Sequence, residues 1–545
     1  MALLGLLLTW TLTWLLKRST WLLLHTHVPT VAILLSLVPL VAYAGIAGFK
    51  TPVVRALLMS AFFLVGVVLQ RQRTVLPIIA AAALIVLLWR PLALFTVSFQ
   101  LSFSAVLALA VIYPRLLALF APERPGGAAA GMLRWLCTAL LVSVAATLGS
   151  LPFLLYHFNR FSLIGPLFNL LVEPLLCFWT LPCGLLAIPL VFIAPGASEF
   201  VLNIGGWGIA AADRVTAWGS ALPFASFWTV TPTPLEISLY LLLLWSWVGR
   251  RGSMKTMAVH VVAAAMLAAL FTRGLWLPHT GRETEIAFVD VGQGSSTFIR
   301  LPEGGSILLD GGSRTSPAFD LGERVLAPFL WKKRVWRLEE VVVTHPDSDH
   351  YNGLSFVVLR FRPRRLWING VDREAWPYSE LLQTAERCGT EIVEPVAGQI
   401  LRADGDVRFS FVKGADAPGQ DPRTGQKLSG NNRSLVLKLV HGEIALLFPG
   451  DLERQGEEIL MGEGKNIRAN VLLAGHHGSK GSSSTPFIAE VNPELIIVSS
   501  GRNADGVYLD QGHLAAWRQA GRTVLATAEQ GTVVLTTDGT SIFIK

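Results

Sequence analysis

Two different hydrophobic patterns divide the chain near residue 280. Before that point, long apolar runs recur with short polar joints, at about 28–48, 53–70, 74–89, 92–120, 132–157, 161–194, 235–249 and 256–277. A helix of ~20 apolar residues can cross a bilayer. We therefore predict a polytopic, all-α transmembrane bundle over residues 1–280.

After Arg282-Glu283-Thr284-Glu285 the hydrophobic pattern changes to short strand-like runs separated by helical segments. The predicted strands are 286–289, 296–301, 307–309, 341–343, 434–440, 445–448, 472–473, 495–498, 524–526, 532–536 and 541–544. The predicted helices lie at about 320–335, 352–360, 378–388, 452–462 and 511–520. This order is typical of two β-sheets packed between helical layers, so we predict an α/β domain over residues 283–545.

Charge is distributed unevenly between the two parts. The chain has a net charge of +7, but residues 1–280 hold 16 Lys and Arg against 5 Asp and Glu, which leaves the remainder at −4. The mean hydropathy of +0.50 reflects the apolar runs. The positive excess is thus first a topology signal. The four cysteines form no Cys-x-x-Cys pair, so neither a disulfide framework nor a zinc ribbon is indicated.

Membrane topology follows from the basic joints, which are Lys17-Arg18, Arg71 with Arg73, and Arg250-Arg251 with Lys255. If these joints face the cytoplasm, the last apolar run leads outward and the α/β domain is extracytoplasmic.

One apolar stretch, 161–194, contains prolines at 166, 174, 182 and 189 and a glutamate at 173. Because proline breaks helices, the stretch predicts interrupted backbone that lines a cavity, with Glu173 facing a pore. A re-entrant loop with Glu173 among the lipid headgroups is the alternative.

Four strand-like runs of the second part each end in potential metal ligands. Ile307–Leu309 precedes Asp310, and Val341–Val343 precedes a loop with His345, Asp347, Asp349 and His350; Ala445–Phe448 precedes Asp451, and Leu472–Leu473 precedes His476 and His477. Imidazole and carboxylate ligands suit zinc, manganese or iron. A solvated acidic turn with incidental histidines would explain one such loop but hardly four in order.

These motifs, together with Val289-Asp290-Val291-Gly292-Gln293-Gly294 and Asn431-Asn432-Arg433-Ser434, resemble the metallo-β-lactamase-like domain of ComEC-type competence proteins, the inner-membrane DNA channels of natural transformation. The resemblance extends over nearly the whole chain. It implies an αββα sandwich for the second part and a competence channel for the first. It also implies that the chain begins inside the channel domain, without the leading portion that family members usually carry.

The resemblance further implies two divalent metals, manganese or zinc, and assigns ligands to them. His345 and Asp347 would hold the first metal; Asp349 and His350 would hold the second, which His476 or His477 completes; and Asp451 would bridge both. Asp349 and Asp451 are the predicted catalytic residues. Asp310, Asn432 and Ser479 are expected to support the ligands, although Asp310 also fits a simple turn before Gly311-Gly312. Two metals held ~3.5–4 Å apart can activate water and neutralise charge on a scissile phosphate.

Several positions depart from the family pattern. Asp347 stands where many fold members have His, and Asn431-Asn432 occupies the neighbourhood of a further His, which favours manganese over tight zinc. His441 is interpreted as a solvated turn residue. Ser295 replaces a common Asp, and the usual Gly-His-Pro run is missing. These departures bear on the catalytic rate more than on the fold.

Two clusters of basic and aromatic residues are candidates for DNA contact: Trp331–Arg337, with Lys332, Lys333 and Arg334, and Arg360–Trp367, with Arg362, Arg364 and Arg365. Such interleaving suits a phosphate backbone and stacked bases. A solvated helix face or contact with membrane headgroups is the alternative.

The sequence thus predicts a multi-pass protein of the bacterial inner membrane that passes single-stranded DNA inward, with an attached metal-dependent nuclease that degrades the strand that is not imported. Membrane lipid and other DNA-uptake proteins are the expected partners. A DNA channel whose second domain is a catalytically weak binding module, or a hydrolase of small esters, are the alternatives.

Overall fold

A computed structural model describes residues 2–68, 75–120, 128–249, 254–275, 281–313, 319–501 and 511–545. The chain forms two compact units that divide between Leu270 and Phe271. The joints at Arg71, Arg73, Arg250 and Arg251 lie outside the described residues.

The first unit is helical, and each predicted apolar run overlaps at least one of its helices, whereas the 27-residue helix Pro195–Ala221 lies between two predicted runs. Its helices are α1 (Ala2–Leu16), α2 (Thr20–His25), α3 (Val28–Ile46), α4 (Thr51–Val68), α5 (Val75–Trp89), α6 (Val97–Val111), α7 (Tyr113–Phe120), α8 (Ala128–Phe158), α9 (Gly165–Pro174), α10 (Leu181–Ile193), α11 (Pro195–Ala221), α12 (Pro234–Gly249) and α13 (Met254–Thr272). Two short strands, β1 (Arg160–Phe161) and β2 (Phe227–Trp228), pair antiparallel.

Four of the described helical segments are long and apolar enough to cross a membrane, or five if the bent pair α6 and α7 forms one span. The four are Val28–Ile46, Ala130–Phe158, Gly165–Ile193 and Thr256–Leu275. At most 28% of the most apolar window of each is buried inside the protein. Apolar surface on this scale is stable beside lipid rather than water, which confirms the predicted transmembrane helices.

The proline-rich stretch is one continuous helical segment. A π-helical turn, Leu175–Thr180, joins α9 to α10, and Glu173 lies exposed on α9. The wider turn accommodates prolines, which cannot donate the usual backbone hydrogen bond. The predicted interruption of the backbone was therefore wrong.

The second unit alternates strands and helices. Its strands are β3 (Thr284–Phe288), β4 (Thr297–Arg300), β5 (Ser306–Leu309), β6 (Glu340–Val342), β7 (Arg365–Trp367), β8 (Glu391–Val393), β9 (Ile400–Asp404), β10 (Val407–Lys413), β11 (Val436–His441), β12 (Ile444–Phe448), β13 (Val471–Leu473), β14 (Leu495–Val498), β15 (Thr523–Ala526), β16 (Val533–Thr537) and β17 (Ile542–Ile544). Its helices are α14 (Ala327–Lys332), α15 (Ser348–Tyr351), α16 (Leu354–Phe361), α17 (Tyr378–Arg387), α18 (Arg454–Gly462), α19 (Thr485–Val491), α20 (Gln511–Gln519) and α21 (Thr527–Gln530).

These strands form two sheets, in the orders β17-β16-β3-β4-β5-β6-β7-β8 and β15-β14-β13-β12-β11-β10-β9. A fully apolar core lies between them, with Phe288 and Trp367 from one sheet and Phe409 and Phe448 from the other. A second core, which includes Leu460 and Phe487, packs helices on the outer face of the seven-stranded sheet. The predicted sandwich of two sheets between helical layers is confirmed.

The strands β7 to β10 were not predicted. In β10 the side chains of Val407, Phe409 and Phe411 are buried while Arg408 is exposed, so its two-residue alternation was the signal that could have found it. The run Arg365–Trp367 was instead interpreted only as part of a basic cluster.

His441 is buried, with 2% of its surface exposed, so its interpretation as a solvated turn residue was wrong. It lies at the end of β11, and its Nδ1 is 3.0 Å from the Thr284 hydroxyl of β3. Because the two strands belong to different sheets, His441 links the layers of the sandwich.

Candidate metal centre

The candidate ligands come together because they follow strands that end at one edge of the two sheets. Asp310 and His345 follow β5 and β6, which are parallel neighbours. Asp451 and the His476-His477 pair follow β12 and β13, also parallel neighbours. Loops at the carboxyl ends of parallel strands lie close together, so rigid strands aim these side chains at one point.

An enclosed group of four side chains forms the centre of the site. One ligand atom from each of Asp349, His350, Asp451 and His477 lies within 4.8 Å of the others. Nε2 of His350 is 3.2 Å from Oδ1 of Asp451, and Nε2 of His477 is 3.2 Å from Oδ2 of Asp349. The side chains of His350 and Asp451 are 0% and 5% exposed.

An outer group surrounds the second oxygen of Asp451. Nε2 of His345 is 3.9 Å from Asp451 Oδ2 and 3.4 Å from Asp347 Oδ2. Nε2 of His476 is likewise 3.9 Å from Asp451 Oδ2. The side chains of Asp347 and His476 are 48% and 33% exposed, so this group opens to solvent.

A buried carboxylate orients His350. Oδ2 of Asp310 accepts a hydrogen bond from Nδ1 of His350 at 2.8 Å, and its Oδ1 accepts one from the backbone N–H of Thr344 at 2.8 Å. The Thr344 hydroxyl donates to Asp310 Oδ2 at 3.0 Å. With its proton held on Nδ1, the imidazole presents the lone pair of Nε2 to the cluster.

The loop that carries the paired histidines has an unusual backbone. His476 and His477 have φ values of 45° and 56°, in the left-handed region that side chains other than glycine rarely adopt. Nδ1 of His477 donates to the carbonyl of Ser499 at 3.0 Å, while the Ser482 hydroxyl donates to the carbonyl of Gly475 at 2.7 Å. Backbone strain held by such contacts is a common feature of functional sites.

Gly450 allows the Asp451 loop to pass close to its neighbours. It has a φ of 59°, and a Cβ at this position would lie 2.8 Å from that of Ser434 and 3.2 Å from that of Thr344. The Ser434 hydroxyl accepts a hydrogen bond from the backbone N–H of Asp451 at 3.1 Å. The close approach places Asp451 between the two histidine loops.

The ionisable groups of the enclosed set favour each other's charged forms. Burial opposes ionisation of Asp451, but the imidazoles of His350 and His477 hold its pKa well below its usual value. Burial likewise opposes protonation of His477, but Asp451 and Asp349 raise its pKa to about 9. The negative potential that stabilises these imidazolium ions would equally stabilise a metal cation.

Two further polar residues, Asn432 and Ser479, support the loops from the side away from the cluster. Oδ1 of Asn432 accepts hydrogen bonds from the backbone N–H groups of Glu453 and Gly456 at 3.1 and 2.9 Å. The Ser479 hydroxyl lies 3.0 Å from that of Ser482. Asn432 and Ser479 thus contact loop residues rather than the ligands themselves.

A buried lysine, which the sequence analysis did not single out, lies beneath the Asn431–Ser434 turn. Lys413 is 4% exposed, and its ammonium donates to the carbonyls of Asn432 at 2.5 Å and Ser434 at 3.3 Å. Burial lowers its pKa to about 8. Thr344 and Ser499 were also missed; each directly follows an apolar strand-like run, which was the available signal.

Ser295 lines a small cavity with Asp310, His350, Asp451 and His477. It is 6% exposed, and its backbone N–H donates to the carbonyl of Asp349 at 3.2 Å. The hydroxyl that this chain places beside the cluster adds no negative charge.

The predicted DNA-contacting residues lie away from this cluster. Lys332, Lys333 and Arg334 precede β6, and Arg362, Arg364 and Arg365 precede or begin β7, whereas the ligands follow the opposite end of β6. Lys333 forms an ion pair with Glu285, and Arg365 pairs with Glu340 at 2.5 Å. They therefore lie at the edge of the sheet opposite to the metal ligands, and their contact with DNA stays a prediction.

The donor set fits a divalent metal. Nε2 of His345, His350 and His477 are all buried, and none has a hydrogen-bond partner among the described residues. An orphaned buried nitrogen is costly unless something binds it. Three such nitrogens around one carboxylate form a donor set of the kind that zinc, manganese or iron takes.

Comparisons with known proteins match both units. Residues 1–253 match the family described as "Competence protein", and residues 289–499 match the "Metallo-beta-lactamase superfamily". ComE operon protein 3 of Bacillus subtilis (strain 168) is 30% identical over 521 residues, which is 92% of this chain and 63% of that protein. Competence protein ComA of Neisseria gonorrhoeae is 31% identical over 472 residues, or 84% of this chain and 58% of that protein.

The chain spans between 56% and 63% of the length of these curated relatives and two others. Among solved structures, Igni18, described as a novel metallo hydrolase from the archaeon Ignicoccus hospitalis KIN4/I, matches 46% of this chain and 98% of its own. The TM-score is 0.30 and the sequence identity 14%.

Proposed function

We propose, from the match of residues 1–253 to the competence protein family and of residues 289–499 to the metallo-β-lactamase superfamily, that this chain takes up DNA across a bacterial inner membrane and carries a metal-dependent phosphodiesterase. The match of the second unit implies a divalent metal and a hydrolase by analogy of fold, so the residues of the site must carry the argument. The observation that carries the proposal is the convergence of three orphaned Nε2 atoms on Asp451.

Two cations, manganese or zinc, would occupy the two groups. Asp349, His350 and His477 would hold one, and His345 and Asp347 the other, with Asp451 shared by both. His477 rather than His476 completes the enclosed group, because its side chain is 6% exposed and lies within 3.4 Å of both Asp349 and Asp451. Bound divalent cations lower the pKa of water and neutralise charge on a phosphate.

The chain's own residues prepare the site for that chemistry. Asp310 fixes the Nδ1 proton of His350, and the Ser499 carbonyl fixes that of His477, so the proton that each imidazolium would give up to a bound cation is the one on Nε2, which faces the cluster. His476 and Asp347 border the open side of the cluster. A phosphodiester would enter from that side, since the opposite side is closed by Asp310, Thr344 and Ser295.

The helical unit would form the path for one DNA strand. In this arrangement the hydrolase unit lies on the extracytoplasmic side and degrades the strand that is not imported, and other DNA-uptake proteins deliver the duplex. The orientation rests on the basic joint at Arg250, Arg251 and Lys255 in the sequence, which would remain in the cytoplasm so that the last apolar run leads outward.

The test uses the full chain in detergent micelles, stripped with chelator and reloaded with manganese, zinc or magnesium. End-labelled single-stranded and double-stranded oligonucleotides and a chromogenic ester serve as substrates. We expect metal-dependent cleavage of DNA and none of the ester, and loss of cleavage in Asp349→Asn with retained folding. Asp421→Asn is a matched control, because Asp421 is a buried carboxylate that pairs with Arg423 outside the cluster.

If the chain binds metal stoichiometrically but cleaves no DNA under any metal, the second unit is a binding module and the nuclease proposal is wrong. Ester cleavage that depends on Asp349, without DNA cleavage, would establish a small-molecule hydrolase instead.

A further inference from the structure

The two basic clusters of the sequence meet at one edge of the second unit. The backbone N–H of Leu338 donates to the carbonyl of Phe361 at 3.2 Å, and that of Arg364 donates to the carbonyl of Glu339 at 2.8 Å. We call the edge formed by residues 332–337 and 360–365 the basic edge. It lies where β6 and β7 begin, opposite the metal ligands.

The aromatic residues of the basic edge are not available to stack on bases. Trp331 is 4% exposed, and Phe361 and Trp367 are fully buried. Trp336 packs edge-on against Phe271, with ring centroids 6.0 Å apart. Proteins that bind single-stranded nucleic acid without sequence preference combine a basic groove with exposed aromatic rings on which the bases stack. The basic edge has the cations but not the exposed rings.

The cations of the basic edge, by contrast, remain at the surface. Five side chains in the two segments are exposed: Lys332, Arg337, Arg360, Arg362 and Arg364. The nearby carboxylates are engaged, since Glu340 pairs with Arg365, Glu285 with Lys333, and Glu339 with Arg402. Glu391, exposed at the start of β8, adds one negative charge. Leu359, which is 47% exposed, adds an apolar side chain beside these cations.

The end of the last apolar helix packs on this same edge. The candidate span Thr256–Leu275 ends there, and its final residues from Phe271 onward belong to the second unit. Arg334 donates to the Phe271 carbonyl at 2.8 Å, and its guanidinium lies 5.4 Å from the centre of the Phe271 ring. A Cβ on Gly274 would lie 3.0 Å from the Trp336 ring. The second unit therefore begins at this edge, directly after the apolar segment in the chain.

We propose that the basic edge binds the phosphate headgroups of anionic phospholipids, and so holds the hydrolase unit against the membrane with its metal centre facing away. Lys and Arg beside a membrane helix are attracted to anionic headgroups. The metal centre then opens toward the aqueous phase, where a DNA strand can reach it.

The experiment compares the full chain in nanodiscs of phosphatidylcholine alone and of phosphatidylcholine mixed with phosphatidylglycerol. Hydrogen–deuterium exchange is followed in peptides that cover residues 331–338 and 360–365. We expect exchange in these segments to be slower by about fivefold or more when phosphatidylglycerol is present, the factor that one headgroup-bound cation supplies. Raising the ionic strength should remove the difference, because surface charges are screened.

Two triple variants make the comparison specific. Arg337→Gln with Arg362→Gln and Arg364→Gln should lose the effect of phosphatidylglycerol. Lys427→Gln with Arg454→Gln and Lys480→Gln should keep it, because these exposed cations lie at the ligand side, Lys427 and Lys480 in loops and Arg454 at the start of α18. Unchanged hydrogen–deuterium exchange of the buried residues 341–343 shows that a variant is folded. If the basic-edge triple variant is not folded, the single variants Arg337→Gln and Arg362→Gln take its place.

Equal exchange in both kinds of nanodisc would overturn the proposal. So would stronger protection of the same peptides by a short single-stranded oligonucleotide than by phosphatidylglycerol, since the basic edge would then be a nucleic-acid surface.

Discussion

The two halves of the ligand cluster differ in how firmly the fold holds them. In the enclosed group, His350 and His477 are buried and each imidazole Nδ1 is tied, to Asp310 and to the Ser499 carbonyl. In the outer group, His345 is buried, but Asp347 and His476 are 48% and 33% exposed. The first half is preorganised, whereas the second includes side chains that are free to adapt.

This difference indicates that the two groups around Asp451 have different roles in binding metal. A preorganised set of nitrogen ligands favours tight and selective metal binding, while an open set leaves coordination positions for water and substrate. The outer group also has fewer buried nitrogens, since the side chain of His476 is 33% exposed. We therefore expect the enclosed group to retain its metal more firmly than the outer group.

The largest effect is expected at the residue that both halves share. Asp451→Asn should remove both metals and reduce DNA cleavage on the order of 10³-fold, because the carboxylate lies between the two groups: Nε2 of His350 and of His477 are 3.2 and 3.4 Å from its oxygens, and Nε2 of His345 is 3.9 Å away. Metal content by mass spectrometry and single-turnover cleavage measure this. Retention of both metals by Asp451→Asn would show that the halves do not share a ligand.

The same isosteric substitution, Asp to Asn, at Asp349 and at Asp347 allows a direct comparison of the two groups. Asp349→Asn should cost roughly 10²-fold in cleavage and lose the more tightly held metal, whereas Asp347→Asn should cost about tenfold and lose the weaker one. Titration of each variant with manganese and a competing chelator gives the two affinities. The reverse order would refute the assignment of the enclosed group as the tight site.

A smaller effect is expected from the buried carboxylate behind the enclosed group. Asp310→Asn should weaken the tighter metal by about tenfold or somewhat more, because an amide that donates to Nδ1 forces the His350 proton onto Nε2. Affinity for the weaker metal should not change. An equal loss at both sites would mean that Asp310 acts through general folding instead.

The smallest effect concerns Lys413, which supports the Asn431–Ser434 turn beside the outer group. Its folded-state pKa of about 8 lies below the ordinary 10.5, so the unfolded chain binds more protons between these values and stability rises as pH increases through them. The resulting increase in the free energy of unfolding is at most about 3 kcal/mol. Lys413→Met should abolish this dependence in thermal unfolding of the micelle-solubilised chain, and an unchanged pH profile would contradict it.

Much of the second unit could be predicted because its central strands are short apolar runs that end in Asp or His. Asp310, His345, Asp451 and His477 all lie at such ends, and parallel strands bring their ends together without any further information. Strands β7 to β9 could not be recognised in the same way. They are three to five residues long and mix charged with apolar residues, and pairing within the sheet rather than local preference makes them strands.

The basic clusters show the opposite case. Basic residues interleaved with aromatics favoured a nucleic-acid surface, but Trp331, Phe361 and Trp367 are buried in the core, and their cations lie at the edge away from the ligands. Exposure of a side chain depends on which face of its element packs. Segments as short as 331–337 and 360–365 carry too little periodicity to show this.

By itself, the sequence determined the division into a membrane unit and an αββα unit, and the identity of the loops that could bind metal, because both follow from local hydrophobic pattern and residue chemistry. Only the tertiary structure decided which of His476 and His477 faces Asp349, which polar groups fix the imidazole protons, and on which edge the basic residues lie. Those properties depend on side-chain direction in a strained loop and on contacts between residues far apart in the chain, such as Asp310 with His350 and Lys413 with Asn432.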